Sequence, residues 1–493
     1  MSPARALAVE LLAGPLGSVA ARLDRALSTQ PLVAEDRALL AEIVNGTLRM
    51  RRRLAHALEP LAARGIGGLA PRVRAILESA AYQILFLERV PAYAIVNDAV
   101  ELARWHGHER ASGFVNAVLR ALANPAARGA AEALASPVAT TSPAPTSPSA
   151  AYVRSDISVR RPTEDAAPVD PIAALGVRHS YPDWIVRRAI EILGAANAEL
   201  FLESGNVVPP VSLRANRLRG GRAALLARLA ADGVAAEPCA HAPDGVRLAG
   251  RPFLPALGVL REGLASVQDE SAMLVADLVA PAAGETIADL CASPGGKALA
   301  IAERGGAGED GGPPLRVLAV DRPARLARLR ENALRLGIAG VEIVPGDARA
   351  LAPVACDAVL VDAPCSGLGV LRRHADLRWT KRDSDIARFA ALQGEILDAA
   401  ARWVRPGGRL IYSTCSILPD ENEAVVLAFL SRHTEFRLEP IPDALAAFGA
   451  PLAGRHWGGA GRSDSGGRDV LRAWPHRHGM DGAFACRLRR PSS

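Results

Sequence analysis

The chain of 493 residues is longer than one ordinary domain, and its length predicts two to four domains. Hydrophobic residues make up 49% and charged residues 22%, which is the composition of a soluble globular protein and excludes a largely disordered chain. The net charge of +6 is compatible with a polyanionic partner, but a slightly basic surface on any soluble protein explains it equally well.

The first 22 residues are apolar in places. They include Arg5, Glu10 and a break at Gly14, which indicates an amphipathic helix and not a signal peptide. No run of about 18 uncharged apolar residues occurs, which argues against a membrane span. The six cysteines form neither a CxxC pair nor a metal-ligand spacing, so we expect free thiols, no metal and a reducing, cytoplasmic setting.

Residues 1–124 have the pattern of an all-helical unit. Apolar residues recur at helical spacing in three segments, which are 37–58, 73–87 and 92–105. Pro91 and Gly107 interrupt the pattern, as expected at helix boundaries.

The stretch 125–172 is rich in Ala, Pro, Ser and Thr. It lacks the apolar periodicity needed to fill a core, so we predict a flexible linker. Two Gly-rich segments, 305–312 and 457–467, we interpret as loop insertions of unassigned role.

Residues 173–265 combine a helix predicted over 183–193 with a strand-like piece over 211–218, which indicates a small α+β subdomain. From residue 266 to 489 short apolar runs alternate with helical segments, of which 323–337 and 384–404 have the clearest periodicity. The apolar runs are 286–290, 316–320, 341–344, 358–362 and 408–413. This alternation predicts βαβ units and a doubly wound, mostly parallel sheet.

Ligands of such sheets bind at the carboxyl ends of the strands. The first predicted strand leads into the sequence DLCASPGGK, which has neither the P-loop nor the GxGxxG spacing but offers glycines and a helix N-terminus to an anionic group. The following strands end at Asp321, at Asp347, at Asp362 with Cys365, and at Cys415. Any one of these has an ordinary interpretation as a helix cap, a turn residue or a buried apolar thiol. Their joint occurrence at strand ends favours a ligand-binding or catalytic site.

Lysine is rare in this chain. Only two of the 58 basic residues, Lys297 and Lys381, are lysines, so arginine serves wherever a generic positive charge is needed. The compact ammonium of a lysine has properties that a planar guanidinium lacks. Lys297 lies inside the DLCASPGGK sequence, which favours a specific role.

Four stretches resemble the RsmB/NSUN family of RNA 5-methylcytosine methyltransferases. They are SVQDESA (266–272), DLCASPGGK (289–297), VLVDAPCSGLGVLRRHADLRW (359–379) and IYSTCSILPDENE (411–423). Residues 1–124 resemble the NusB-like RNA-binding domain found in that family. The resemblance implies an all-α NusB-like domain, a small α+β RNA-binding subdomain and a Rossmann-like class I methyltransferase domain.

The resemblance also implies S-adenosylmethionine as cofactor. Its binding residues would be Asp321, Asp347 and Asp362 together with the turn formed by Cys291, Ala292, Ser293, Pro294, Gly295, Gly296 and Lys297. Asp321 would accept hydrogen bonds from the ribose hydroxyls, Asp347 would contact the adenine edge, and Lys297 would meet the methionine carboxylate or stabilise the loop. The chain departs from the usual family pattern at Ser293, Ala298, Ala375 and Ala483, and each of these departures leaves the acids and the two motif cysteines in place.

Carbon 5 of cytosine is too weak a nucleophile to take a methyl group unaided. Addition of a thiolate at carbon 6 activates the ring, and an acid that protonates ring nitrogen 3 assists the addition. Asp362 is the candidate acid. The residues alone do not decide which of Cys365 and Cys415 adds to the ring; the family resemblance implies Cys415 as nucleophile and Cys365 as the residue that assists release.

Arg372, Arg373, His374 and Arg378 follow the first cysteine motif closely. We interpret them as an RNA-phosphate contact that helps position a flipped-out base, although a solvated loop explains their composition equally well. The leading hypothesis is methylation of 16S ribosomal RNA by a monomeric enzyme. The same chemistry on transfer RNA or another ribosomal site, and a non-catalytic RNA-binding assembly factor, are the alternatives.

Overall fold

The computed structural model describes residues 2–63, 65–124, 170–250, 252–305, 313–452 and 468–492. Most of the predicted linker and nearly all of both Gly-rich segments lie outside the described residues. The chain forms two compact units. The helical unit comprises residues 1–207 with 371–382, and the sheet unit comprises 208–370 with 383–493.

The helical unit confirms the helices that apolar periodicity predicts. Its N-terminal helices are Pro3–Ala13 (α1), Val19–Thr29 (α2), Ala34–Leu58 (α3), Pro71–Phe86 (α4), Ala92–Trp105 (α5) and Glu109–Ala123 (α6). Further along the chain come Pro171–Arg178 (α7), Asp183–Leu193 (α8), Ala195–Ser204 (α9) and the short Leu377–Thr380 (α15). Gly14 ends α1, so the N-terminal segment forms two helices instead of one. Leu40, Ile43, Leu54 and Ile76 are fully buried in the core that α1–α6 share.

Residues 171–207 pack with the helical unit, which divides the expected 173–265 subdomain. Arg52 on α3 donates a hydrogen bond to the carbonyl oxygen of Tyr181 (2.6 Å) and forms an ion pair with Asp183 (2.6 Å). The backbone N–H of Arg52 also donates to the hydroxyl of Ser180 (3.0 Å). These contacts join segments that are far apart in the sequence, and local sequence patterns carry no information about them.

The second half of that expected subdomain contributes a small antiparallel sheet to the sheet unit. Its strands, within the described residues, are Val211–Ala215 (β1), Ala236–Pro238 (β2), Gly245–Leu248 (β3) and Ala265–Val267 (β4), in the order β2-β3-β1-β4. Helices Gly221–Ala231 (α10) and Gly258–Arg261 (α11) belong to it. Leu213, Leu225 and Val246 are completely or almost completely buried and form its core.

The large sheet confirms all five predicted strands. In the order β7-β6-β5-β8-β9 they run parallel, and they are Thr286–Asp289 (β5), Arg316–Asp321 (β6), Val341–Pro345 (β7), Cys356–Asp362 (β8) and Val404–Thr414 (β9). Antiparallel strands extend the sheet beyond β9: Arg437–Glu439 (β10), Gly449–Ala450 (β11), Val470–Ala473 (β12) and Ala483–Arg489 (β13). The alternating apolar runs in the sequence did not predict these edge strands.

Both faces of the central parallel strands β5, β6, β8 and β9 are mostly buried, whereas the outer strand β7 is partly exposed. Along β8, Ala358 and Leu360 pack on one face, whereas Val359 and Val361 pack on the other. The surrounding helices are Glu270–Val279 (α12), Gly296–Arg304 (α13), Ala327–Leu336 (α14), Ile386–Ala401 (α16), Glu423–Arg432 (α17) and Pro475–His478 (α18). The strand order reverses between β5 and β8, and a crevice for ligands opens at the carboxyl ends of strands where such a reversal occurs.

No helix among the described residues is long and apolar enough to span a membrane. The part of the chain that the structure describes also holds no group of three side chains arranged to bind a metal ion.

Candidate active site

The turn after β5 presents backbone to the crevice. Gly295 has φ +107°, a conformation that favours glycine, and a Cβ there would lie 3.1 Å from Leu299 Cδ1. Helix α13 begins at Gly296, so the N–H groups of its first turn face outward from the helix N-terminus. This arrangement suits the carboxylate of a ligand.

Lys297, which follows β5, and Asp362, which ends β8, form an ion pair at the point where the strand order reverses. Lys297 Nζ lies 2.6 Å from Asp362 Oδ2, and the hydroxyl of Ser413 donates to Asp362 Oδ1 at 2.7 Å. Burial alone would lower the pKa of Lys297, but the charge and the hydrogen bond of Asp362 more than offset burial and raise it. The ammonium therefore keeps its charge beside the second cysteine motif.

Asp321 lies at the end of β6 and is 6% exposed. Its Oδ2 accepts a hydrogen bond from the backbone N–H of Ser293 (2.9 Å), and its Oδ1 accepts one from the N–H of Arg322 (2.7 Å). A carboxylate oxygen accepts more than one hydrogen bond, so Asp321 can receive two ribose hydroxyls as well.

Asp347 follows β7 and is held by arginine. Arg349 donates to Asp347 through Nε (3.0 Å) and Nη2 (2.8 Å), and these hydrogen bonds lower the pKa of Asp347 far below its usual range. The carboxylate is half-buried and accepts hydrogen bonds only, which is the property that an adenine amino group requires. These groups together fit S-adenosylmethionine. The N–H groups of the helix N-terminus can donate to its carboxylate, and the two aspartates can accept hydrogen bonds, one from the ribose and one from the adenine base.

The two motif cysteines lie side by side. β8 and β9 pair in parallel with Asp362 opposite Ser413, so the loops that follow them emerge together. The Sγ atoms of Cys365 and Cys415 are 3.2 Å apart, and both residues are half-buried. The hydrogen bond with Cys415, together with burial, raises the pKa of the Cys365 thiol well above its usual range.

A third segment, which contains Gly482, contacts the loops that carry the two cysteines. The N–H of Gly369 donates to the Cys415 carbonyl oxygen (2.8 Å), and the N–H of Gly482 donates to the Gly369 carbonyl oxygen (2.9 Å). A Cβ on Gly369 would lie 2.5 Å from the Gly482 oxygen and 2.7 Å from the Cys415 oxygen. Glycine at position 369 is therefore required for this close approach of backbones.

All six cysteines are free thiols. Cys239, Cys356 and Cys486 are buried. Cys291 lies in the turn after β5, as predicted, and burial raises its pKa well above the usual range.

Two buried carboxylates belong to this region although the motifs did not single them out. Asp289 ends β5, is 1% exposed and accepts a hydrogen bond from the Cys291 N–H (3.2 Å). Burial, with the charge of Asp362, raises its pKa to about 7. The sequence could have indicated Asp289 as a site residue, because it is an acidic residue at the end of a predicted strand. Glu421 is fully buried, but it lies in the polar run PDENE, which is typical of a surface turn.

The positions of Arg378 and Arg372 in the structure argue against the RNA contact predicted for them. Both side chains are buried, at 0% and 5% exposure. The Arg378 guanidinium lies over the Tyr181 ring, 3.8 Å from its centroid, and burial lowers its pKa to about 10. A guanidinium enclosed in this way is desolvated inside the helical unit and does not reach a phosphate.

Hydrogen bonds hold Arg378 inside the helical unit. It donates to the carbonyl oxygens of Gly205 (2.6 Å) and Arg49 (3.1 Å) and to Asn206 Oδ1 (2.8 Å). The segment 371–382 is thus an integral part of that unit. His374 is exposed and Arg373 is half-buried, and their contact with RNA stays a prediction.

Comparisons with known proteins agree with this architecture. Residues 276–489 match the family described as 16S rRNA methyltransferase RsmB/F, residues 2–124 match the NusB family, and residues 181–252 match an RsmF/B-like ferredoxin-like domain. The chain is 34% identical to a probable ribosomal RNA small subunit methyltransferase B of Synechocystis, covering 95% of this chain and 94% of that protein.

A second relative is the ribosomal RNA small subunit methyltransferase B of Sodalis glossinidius, which is 36% identical and covers 84% of this chain and 86% of its own length. Among solved structures, PH0851 superposes with a TM-score of 0.75 at 25% identity over 99% of both chains.

Replacement of Arg378 tests its structural role. Arg378→Ala removes the donors to buried oxygens and the stacking on Tyr181, and we expect it to destabilise the helical unit by roughly 3 kcal/mol. Thermal and urea unfolding without RNA measure this loss. Arg110→Ala, an exposed arginine of the same unit, is the control and changes the midpoint little. An unchanged midpoint combined with weaker RNA binding for Arg378→Ala would restore the RNA-contact interpretation.

Asp289 makes the stability of the sheet unit depend on pH. An unfolded aspartate titrates near pH 4, so from about pH 4 to 7 the folded state binds more protons and stability falls as pH rises. We expect Asp289→Asn to match the wild type at about pH 4 and to unfold at a higher urea concentration than the wild type at pH 8. Glu237→Gln, whose parent side chain is 59% exposed, serves as control. If Asp289→Asn shows no gain at pH 8, this source of pH dependence is ruled out.

Proposed function

Because the chain belongs to the 16S rRNA methyltransferase RsmB/F family, we propose that it transfers a methyl group from S-adenosylmethionine to carbon 5 of a cytosine in small-subunit ribosomal RNA. The reaction proceeds through a covalent cysteine adduct in the reducing cytoplasm. The names of the relatives support ribosomal RNA as the substrate. The NusB-like helical unit provides an additional RNA-binding surface.

The observation that carries the proposal is the 3.2 Å contact between the Sγ atoms of Cys365 and Cys415. Methylation of a nucleophilic atom such as a ring nitrogen or a hydroxyl oxygen requires no protein thiol. Carbon 5 requires one thiol to add at carbon 6 and a means of expelling it afterwards. Two adjacent thiols beside an acid and a lysine suit this sequence of steps.

S-adenosylmethionine supplies a methyl group on a positively charged sulfur. Asp321 would hold its ribose, Asp347 would hold its adenine, and the turn from Cys291 to Lys297 would hold its methionine end. The family resemblance implies each assignment, and the donors and acceptors that these groups present at the carboxyl ends of the strands support it.

Cys415 acts as the nucleophile. Cys365, whose pKa is raised by the hydrogen bond with Cys415, keeps its proton and can donate it toward the Cys415 sulfur. The Lys297 ammonium also interacts electrostatically with Cys415. As the bond between the Cys415 sulfur and carbon 6 forms, Asp362 relays a proton to ring nitrogen 3, with Lys297 as the source at 2.6 Å.

Release reverses the addition. After carbon 5 has gained its methyl group, its proton leaves to a base and the electron pair restores the ring double bond. The bond from carbon 6 to the Cys415 sulfur breaks at the same time. The thiol of Cys365 lies beside the departing sulfur and protonates it. The proton on ring nitrogen 3 returns through Asp362 to Lys297, which regenerates the neutral aromatic ring. The proton from carbon 5 passes to solvent, and proton exchange with solvent restores the starting state of both cysteines.

Substitution of each cysteine separates the two roles. With labelled S-adenosylmethionine and unmodified small-subunit RNA, we expect turnover to fall at least about 100-fold in both Cys415→Ala and Cys365→Ala. A denaturant-resistant RNA adduct, detected on a gel, is expected to accumulate in Cys365→Ala alone, because that variant adds to the ring but releases it slowly.

Cys239→Ala, which removes a buried thiol of the small sheet, is the control and is expected to keep wild-type turnover. An adduct that forms with Cys415→Ala would reverse the two roles. A wild-type protein that transfers no methyl group to this RNA would contradict the proposed substrate or the proposed catalysis.

A further inference from the structure

Glu421 is a fully buried carboxylate that takes no part in the reaction described above. It ends the short turn Pro419–Glu421, a few residues after the second cysteine motif. A buried carboxylate without hydrogen-bond donors costs several kcal/mol, so its surroundings must supply them.

The donors to Glu421 come from the loops of both cysteines. Its Oε1 accepts hydrogen bonds from the backbone N–H of Ser366 (2.8 Å) and from Gln393 Nε2 (3.1 Å). Its Oε2 lies 2.5 Å from the hydroxyl oxygens of both Ser366 and Ser416. Ser366 directly follows Cys365, and Ser416 directly follows Cys415.

The two serines also meet each other, with their hydroxyl oxygens 3.1 Å apart. Ser416 Oγ accepts a hydrogen bond from the N–H of Leu418 (3.1 Å), so its own proton is available for Glu421. One carboxylate thus binds equivalent positions in two loops that are 50 residues apart in the sequence.

Neighbouring contacts make this junction rigid. Gln393 Nε2 donates to the Pro364 carbonyl oxygen at 3.0 Å as well as to Glu421. Asn422 donates to the Ser416 carbonyl oxygen (3.0 Å) and accepts from the Thr414 hydroxyl (2.6 Å). The residues on either side of each cysteine are therefore fixed, and the positions of the two Sγ atoms follow from them.

We propose that Glu421 is a positioning residue that sets the distance between the Cys365 and Cys415 thiols. It acts through Ser366 and Ser416 and does not touch the substrate. Its importance for methyl transfer rests on the proposed function, in which the Cys415 sulfur adds to carbon 6 and the adjacent Cys365 thiol protonates that sulfur as it departs. The thiol geometry itself does not depend on that function and can be measured without RNA.

Phenylarsine oxide is the probe for this geometry. It condenses with two neighbouring thiols to form two arsenic–sulfur bonds and one water, so its affinity depends on the distance between the sulfurs. We expect Glu421→Ala to weaken its binding at least about tenfold and Glu421→Gln at least about threefold, because a glutamine amide cannot accept from all the groups that the carboxylate serves. Cys365→Ala, which lacks one thiol, identifies the binding site.

Glu423→Gln is the matched control. Glu423 is another buried carboxylate, two residues further on, and it pairs with Arg472 instead of the serines. We expect it to keep the affinity for phenylarsine oxide within about twofold of the wild type. If Glu421→Gln is folded by circular dichroism and also binds the arsenical like the wild type, the positioning role is refuted.

Kinetics with RNA give a second readout. Mispositioned thiols are expected to lower kcat for methyl transfer in Glu421→Gln several-fold, leave KM for RNA unchanged and lengthen the life of the covalent adduct. Weaker arsenical binding together with an inactive wild type would contradict the proposed function but support the positioning role. An active wild type with unchanged arsenical binding in Glu421→Gln would support the proposed function and refute the positioning role.

Discussion

The parallel pairing of β5 with β8 is the constraint on which the site depends. The strand order reverses between these two strands, so the segments that follow them diverge and leave a crevice at their carboxyl ends. Lys297, which follows β5, and Asp362, which ends β8, meet across this crevice at 2.6 Å. The ion pair joins the part of the site that suits the cofactor to the part that carries the thiols.

The neighbouring pair, β8 and β9, brings the thiols together by the same principle. Because Asp362 lies opposite Ser413 in the register, the two cysteine loops begin side by side. Glu421 and the contact of Gly369 with Gly482 then fix the loops after they leave the sheet. Chemistry that needs two adjacent thiols thus rests on backbone pairing first and on buried polar contacts second.

The sequence predicted the strand-end residues well, because strand ends of a parallel sheet converge whatever their separation along the chain. It did not indicate the burial of Arg378, whose basic neighbours suggest a phosphate contact. Its burial depends on Tyr181, which lies far earlier in the chain, and on the carbonyl oxygen of Gly205. Such tertiary contacts leave no local pattern. The edge strands β10–β13 also went unpredicted, since they lack the alternation with helices that marks βαβ units.

Release of tritium from cytosine carbon 5 tests the central claim most directly. Small-subunit RNA labelled with tritium at carbon 5 of its cytosines would be incubated with the protein and S-adenosylmethionine, and tritium in the water would be compared with methyl groups transferred. We expect one tritium released for each methyl group gained, and none without S-adenosylmethionine. Methyl transfer without tritium release would place the methyl group on a nitrogen or an oxygen and would contradict the account.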